Sequence, residues 1–223
     1  AHLGGPELWI KRDDQTGLAF GGNKTRKLEF LVAEAREQGA KMLISAGAIQ
    51  SNHCRQTVAA AARFGFDCTL VLTGERPNQP SANFLLDQLF GAEIITVADR
   101  TPALAGGARA DRDRILQETF DKAVAAGKKP YLVPYGGSSP TGALGYVFAM
   151  EELMSQLKDL RVLAKRPVGE ELGGLERGID WIVFGTSSGG THAGLVLGQH
   201  LFDFKGKVLG ISIDEPEAQL KAH

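Results

Sequence analysis

The sequence predicts an α/β protein built on parallel sheet, and three observations point there. Short apolar runs alternate along the chain with longer amphipathic or alanine-rich runs, the pattern of strands joined by crossover helices. Several of the apolar runs show no polar alternation, as strands covered on both faces do. The segments that follow them are rich in Gly, Ser, Asn and Thr, residues that end a strand and open a helix.

Composition narrows the function. The 223 residues, 43% of them hydrophobic, suffice for one large or two small domains. A formal net charge of −1, with both signs mixed along the chain, gives no surface for nucleic acid. Apolar runs fall short of a membrane span, and no signal-peptide pattern opens the chain. Cys54 and Cys68 are too few and too far apart for a zinc knuckle or a redox pair, so a reducing, cytoplasmic setting is expected. The histidines (His2, His53, His192, His200 and His223) have no paired ligand spacing, and no metal site is expected. Both ends look cut: Gly4-Gly-Pro6 comes almost at once, and the chain stops inside what reads as a helix.

In order, Glu7-Leu-Trp-Ile-Lys-Arg12 is strand-like. Leu28, Leu31, Val32 and Ala35 then mark a helix with one buried face. Lys41-Met-Leu-Ile-Ser-Ala46 is a buried strand leading into Gln50-Ser-Asn-His53 and an alanine-rich helix over 56–66. A strand over 68–72, a helix over 81–90, a strand over 92–97 and a helix over 108–126 follow. The strand over 130–134 ends in Tyr135-Gly-Gly-Ser-Ser-Pro140, read as a connecting loop, and a helix over 141–157 comes next. Residues 161–180 suggest a surface loop. Trp181-Ile-Val-Phe184 is a strand, followed by the Gly/Ser loop 185–194, a helix over 195–202 and a strand over 207–213.

Three segments carry chemistry. Phe20-Gly-Gly-Asn-Lys-Thr-Arg-Lys27 places Lys24, Arg26 and Lys27 in the first turn of a helix, where the macrodipole is already positive. Such a cluster makes sense if an anion binds there, or if one amine is kept neutral enough to act as a nucleophile. Gly185-Thr-Ser-Ser-Gly-Gly-Thr-His-Ala-Gly194 either merely turns the chain or cradles an anion at a helix N-terminus. It is neither a Walker loop nor a dinucleotide fingerprint, and a phosphate monoester fits it best. In Gln50-Ser-Asn-His53, Ser51 or Asn52 can simply cap the helix, or the same donors can hold a carboxylate. Lysine, phosphate cradle and carboxylate turn at strand C-terminal ends are what pyridoxal 5′-phosphate requires.

Gly21-Gly-Asn-Lys-Thr-Arg-Lys-Leu-Glu29, Gln50-Ser-Asn-His53, Gly136-Gly-Ser-Ser-Pro-Thr-Gly-Ala-Leu-Gly-Tyr146, the 185–194 loop and Trp9-Ile-Lys-Arg-Asp-Asp14 together resemble the D-cysteine desulfhydrase and 1-aminocyclopropane-1-carboxylate deaminase family. That family belongs to the tryptophan synthase β-like, fold type II pyridoxal-phosphate enzymes. The resemblance implies a two-domain parallel-sheet architecture: a small domain over 39–140 and a large one over 1–38 and 141–223, its C-terminal part absent. It implies that Lys24 holds the cofactor, Asn52 contacts the ring hydroxyl, and Lys27 with Ser188, Gly189, Gly190 and Thr191 holds the phosphate. Ser51, also a proton relay, would receive the substrate carboxylate with Asn52 and His53. It further implies a homodimer acting on a small amino acid.

Two departures separate the branches. The deaminase branch has a Trp-Val-Asn-Tyr segment where this chain reads Thr73-Gly-Glu-Arg-Pro-Asn-Gln79. Its phosphate loop carries Thr-Gly-Ser-Thr-Gln in place of Ser188-Gly-Gly-Thr-His192. His53 and His192 resemble the desulfhydrase branch. The expected reaction is therefore α,β-elimination from D-cysteine to pyruvate, sulfide and ammonia. The alternatives are opening of 1-aminocyclopropane-1-carboxylate, elimination of sulfite from a sulfonated amino acid, and a nucleotide-binding module without chemistry. The resemblance places the family's active-site tyrosines and the group facing the pyridine nitrogen beyond His223.

Overall fold

The computed structural model describes residues 4–98, 107–164 and 178–213, the side chains of 107–109 and 160–164 excepted. In chain order it contains α1 (Lys24–Glu37), β1 (Met42–Ala48), α2 (Asn52–Phe64), β2 (Asp67–Thr73), α3 (Ala82–Leu89) and β3 (Glu93–Val97). Then come α4 (Gly107–Ala125), β4 (Pro130–Leu132), α5 (Pro140–Ala164), β5 (Trp181–Thr186), α6 (Gly190–Leu201) and β6 (Lys207–Ser212). The first four strands form a parallel sheet in the order β3-β2-β1-β4, and β5 pairs with β6 in parallel.

The period-two rule sorts the first sheet's side chains cleanly. Met42, Ile44 and Ala46 of β1 and Val71 of β2 face α4, packing against Ile115, Leu116 and Ala123. Leu43, Leu70 and Leu72 face the other way, onto α2, α3 and α1 through Val58, Phe84, Leu28 and Leu31. Each of these fully buried side chains contributes roughly 1.5–3 kcal/mol over an exposed one. Helix α2 is enclosed from His53 to Ala61, and its alanines let it sit close to the sheet. In the second unit, Ile182, Phe184 and Val208 pack on Tyr146, Met150 and Leu195 of α5 and α6. Its outer face, with Trp181, Val183, Leu209 and Ile211, is exposed among the described residues.

Helix α5 is the brace between these parts. A Cβ at Gly145 would lie 2.2 Å from the Arg26 carbonyl oxygen, and one at Gly194 would lie 2.3 Å from that of Ala143. Only glycine permits α1 and α6 to approach α5 so closely. A polar network reinforces the first crossing. Arg26 Nε donates to Asp13 at 2.9 Å, its Nη1 donates to Glu152 at 2.9 Å, and the Tyr146 hydroxyl donates to Asp13 at 2.5 Å.

Most expected elements are present, with bounds shifted at their ends. Helices α2 and α6 begin earlier than the apolar pattern suggested, because their first turns carry the polar donors. Glu7–Arg12 is not a strand. It pairs with no described strand, and Leu8 and Ile10 are 83% and 80% exposed, so no ladder holds it extended. The loop expected over 161–180 lies mostly outside the described residues, α5 running on to Ala164, as does the helix expected after residue 213. Among the described residues no helix is long and apolar enough to cross a membrane.

One core group carries a pH dependence. Asp87 on α3 is wholly enclosed, and neither of its carboxylate oxygens has a hydrogen-bond partner. Burial raises its pKa from 3.8 to about 7, with Arg55 pulling the other way. Between those values the folded chain holds a proton that the unfolded chain has released. Stability from this group is greatest at low pH and declines as pH rises towards about 7. In urea unfolding of the full-length protein, Asp87→Asn should remove that decline, so its stability relative to wild type rises between pH 4 and 7. Parallel pH profiles would contradict it.

Candidate active site

In the strand order β1 and β4 are neighbours whose chains part: β1 leads through α2 to β2, and β4 leads through α5 out of this sheet to β5. Open α/β sheets bind ligands at such crevices, outside the strands' C-terminal ends. A cavity of about 300 Å³ lies there, walled by Asn23, Lys24, Ser51, Asn52, His53, Tyr135, Gly136 and, after β5, residues 185–189 with Thr191. Helices α1 and α2 begin on this wall, at Lys24 and Asn52, and α6 begins beside it, at Gly190. Each contributes unpaired N–H groups and the positive end of a dipole. Among the described residues no carboxylate lines it.

Lys24 is where the helical pattern of α1 puts it, on the wall, its Nζ donating to Asn23 Oδ1 at 3.1 Å. Burial lowers its pKa from the ordinary lysine value. Ser51 caps α2, its hydroxyl oxygen accepting from the Cys54 N–H at 3.2 Å. That leaves the Ser51 O–H and the first-turn N–H groups of Asn52 and His53 as donors at the helix mouth. Asn52 is exposed on the wall, and its Oδ1 accepts from Asn83 at 2.9 Å.

The His53 ring turns inward. Ser45 on β1 donates its hydroxyl to the Val133 carbonyl at 2.9 Å, so it accepts from His53 Nε2 at 2.9 Å. Nδ1 is then a buried lone pair without a partner. Burial first, then Lys24 and Lys27, press the His53 pKa down to about 3, and the imidazole is neutral. A neutral ring bonded to Ser45 brings no cation to the cavity.

Lys27 stands one layer behind the wall. It lies one turn after Lys24, 1% exposed, with Nζ donating to the Gly136 carbonyl at 3.1 Å and to Ser138 Oγ at 3.4 Å. Burial, and then the charge of Lys24, bring its pKa to about 7. Gly190 is also behind the wall, its N–H donating to Ser138 Oγ at 3.3 Å. Ser188, Gly189 and Thr191 are on the wall. His192 faces the second sheet, edge-on to Phe184 with ring centres 5.3 Å apart.

The sequence reading left out the loop after β4. Ser138 donates to Ser188 Oγ at 2.7 Å and accepts from Lys27 and Gly190, tying α1 to α6. Gly136 has φ +63°, and a Cβ there would lie 2.4 Å from Ser188 Oγ. The signal was present, because Tyr135-Gly-Gly-Ser-Ser139 is a Gly/Ser turn between a strand and a helix, like the other two segments.

This is the layout of a lysine-dependent cofactor enzyme, and comparison with known proteins assigns the class. The chain belongs to the family described as pyridoxal-phosphate dependent enzyme, which it matches over residues 1–222. Among curated relatives it is 38% identical over 218 residues to a putative 1-aminocyclopropane-1-carboxylate deaminase of Pyrococcus abyssi, covering 97% of this chain and 58% of the relative. It is 40% identical over 219 residues to the D-cysteine desulfhydrase of Salmonella paratyphi C, covering 97% and 60%. The solved structure of an ACC deaminase homologue matches with TM-score 0.71 and 35% identity, over 95% of this chain and 58% of that one. The chain thus spans about three fifths of the length of these relatives.

The residues present fit the family's cofactor. A partly desolvated amine, described lining residues without a carboxylate and the N-terminus of α6 with its Ser/Gly/Thr donors suit an aldehyde that carries a phosphate. Bound phosphate would offset the mutual repulsion of Lys24 and Lys27.

Gly136 tests the loop. Gly136→Ala imposes left-handed strain of roughly 1–2 kcal/mol and displaces Ser188. Gly39→Ala imposes similar strain at φ +70° with nothing within 4 Å of the added methyl. Both variants should lower the melting temperature, but only Gly136→Ala should weaken pyridoxal 5′-phosphate binding in a fluorescence titration. Equal affinities in the two would show that the loop does not shape the site.

Proposed function

We propose that the full-length protein is a pyridoxal-phosphate-dependent lyase that carries out α,β-elimination on a small amino acid, D-cysteine first among them. The observation that carries this is Lys24: a half-buried amine of lowered pKa on the wall of a cavity whose described lining residues include no carboxylate and beside which three helices begin. The relatives named D-cysteine desulfhydrase, 40–41% identical, support the substrate. The 73–79 segment, which lacks the aromatic run of the deaminase branch, supports it too.

In this reading Lys24 holds the cofactor covalently between turnovers. The 188–191 turn at the start of α6 receives the phosphate, and Lys27 adds positive charge from behind. Asn52 donates to the ring hydroxyl oxygen. The substrate carboxylate docks on the Ser51 hydroxyl and the α2 N–H groups, which fixes the Cα–H bond relative to Lys24. When bound, the cofactor supplies the electron sink for the charge left at Cα. Lys24, its pKa lowered by burial, would take the Cα proton on Nζ. The bond from Cβ to sulfur then breaks, its electron pair leaving with sulfur. With one water consumed, D-cysteine gives pyruvate, ammonia and hydrogen sulfide.

A second reading is deamination of 1-aminocyclopropane-1-carboxylate to 2-oxobutanoate and ammonia. The Pyrococcus relative and the ACC deaminase homologue favour it. The proposal extends to architecture and setting: a small domain over 39–140, a large domain formed by 1–38 and 141–223, and a cytoplasmic homodimer. The separate sheets support the division, and the close approach of α1 to α5 at Gly145 supports joining 1–38 to the later segment, although the apolar face of α1 packs in the first sheet's cluster. Two buried, unpaired cysteines suit a reducing compartment.

The test uses full-length wild type and Lys24→Ala, each offered D-cysteine, L-cysteine and 1-aminocyclopropane-1-carboxylate. Sulfide and pyruvate from D-cysteine are expected, with a loss in Lys24→Ala of at least about a thousandfold, together with loss of the covalent visible band. Release of 2-oxobutanoate alone would select the second reading. Activity retained in Lys24→Ala would overturn both.

A further inference from the structure

We infer that Asn83 is a positioning residue that decides which end of the Asn52 amide faces the site; this rests on reading Asn52 as the donor to the cofactor's ring hydroxyl. Asn83 lies in the first turn of α3, 31 residues away in sequence from Asn52. Its Nδ2 donates to the main-chain oxygen of Gln50 at 2.7 Å and to Asn52 Oδ1 at 2.9 Å. A main-chain carbonyl can only accept, so Asn83 must present its nitrogen to Gln50. The same nitrogen reaches Asn52, which must answer with its oxygen. Asn52 lines the cavity, and the end left for it is the nitrogen with its two donors.

The surroundings are built to hold Asn83 in place. Ala82 takes φ +48°, a left-handed conformation that costs a residue with a side chain about 1 kcal/mol or more. Ser81, at the cap position of α3, makes no side-chain cap. Gln50 does so from another segment: its Oε1 accepts from the Asn83 N–H at 2.9 Å and the Phe84 N–H at 3.4 Å. Its Nε2 donates to the Ser81 carbonyl at 3.3 Å. The turn that carries Ser51 and Asn52 is thus bound to the start of α3 by bonds running in both directions.

The chemistry gives the clamp a consequence. A donor facing a ring oxygen that bears negative charge stabilises it, whereas an amide oxygen there repels it. Asn83→Asp keeps the shape and reverses the demand. A carboxylate accepts only, so it draws the Asn52 nitrogen to itself and turns the Asn52 oxygen to the cavity.

The experiment titrates full-length wild type, Asn83→Asp, Asn83→Ala, Asn52→Ala and Asn83→Asp/Asn52→Ala with pyridoxal 5′-phosphate. It records Kd and the pH dependence of the bound cofactor's visible band. Asn83→Asp should weaken binding by roughly tenfold or more, the size of a lost hydrogen bond to a charged group. It should also shift the pH at which the band changes, and it should do neither when added to Asn52→Ala. Asn83→Ala, which adds no charge, carries the test if Asn83→Asp does not fold: its band shift should likewise vanish in the Asn52→Ala background. An unshifted band in a folded Asn83 variant, with Asn52→Ala impaired, would overturn the positioning role alone. Equal losses of Kd with and without Asn52 would also overturn it, marking the clamp as merely structural. If Asn52→Ala behaves like wild type, the reading of Asn52 itself fails.

Discussion

Three helix N-termini meet around one small cavity whose described lining residues include no acidic side chain, and most of what the site can do depends on that electrostatic arrangement. Each terminus brings unpaired N–H groups and a partial positive charge. Lys24 sits in the first turn of its own helix and Lys27 one turn further on. Neither meets a carboxylate: Lys24 donates to an amide oxygen, and Lys27 to a carbonyl and a hydroxyl. The repulsion appears in the neighbours, since Lys24 lowers the pKa of Lys27 and both lower that of His53. An anion would offset the repulsion at such a site, and the same burial lowers the pKa of its two amines.

Holding that field in place falls largely to α5 and to the loop before it. The close approach of α1 at Gly145 and of α6 at Gly194 fixes two of the three helices against a common brace. The Asp13–Arg26–Glu152 network pins the start of α1, and Arg26 is only 16% exposed there. That shielding matters, because fully exposed pairs contribute little. Ser138 then links Lys27 to Ser188 across the cavity floor. The start of α1 and the turn before α6 are therefore joined by hydrogen bonds through a loop that comes from a third strand.

Local pattern made much of this legible in the sequence. Apolar spacing located α1 and its buried face, so Lys24 fell in a first turn. Gly/Ser turns after apolar runs marked the starts of α2 and α6 and put Ser51, Asn52, Ser188, Gly189 and Thr191 on the wall. Features set by partners distant in sequence were not legible. Lys27 reads like Lys24 until Gly136, 109 residues later, is seen to cover it. His53 reads as a donor until Ser45 takes its ring. Glu7–Arg12 has strand composition, but composition supplies no neighbouring strand. Asn83 has no local signal at all, since its role exists only across the gap to Gln50 and Asn52.

The positions that escaped a sequence reading share a physical trait: they orient groups instead of supplying them. An amide, a hydroxyl or an imidazole can face a ligand in two ways, and its own segment does not choose between them. Ser45 chooses for His53 by using its one proton on Val133. Ser138 spends its own proton on Ser188 and accepts from Lys27 and Gly190. In both cases a main-chain group anchors the choice: the Val133 carbonyl accepts the Ser45 proton, and the Gly190 N–H holds Ser138 Oγ as an acceptor. A backbone carbonyl or N–H cannot reverse its role, so the fold's backbone sets which nitrogen of His53 donates and which hydroxyl donates to Ser188.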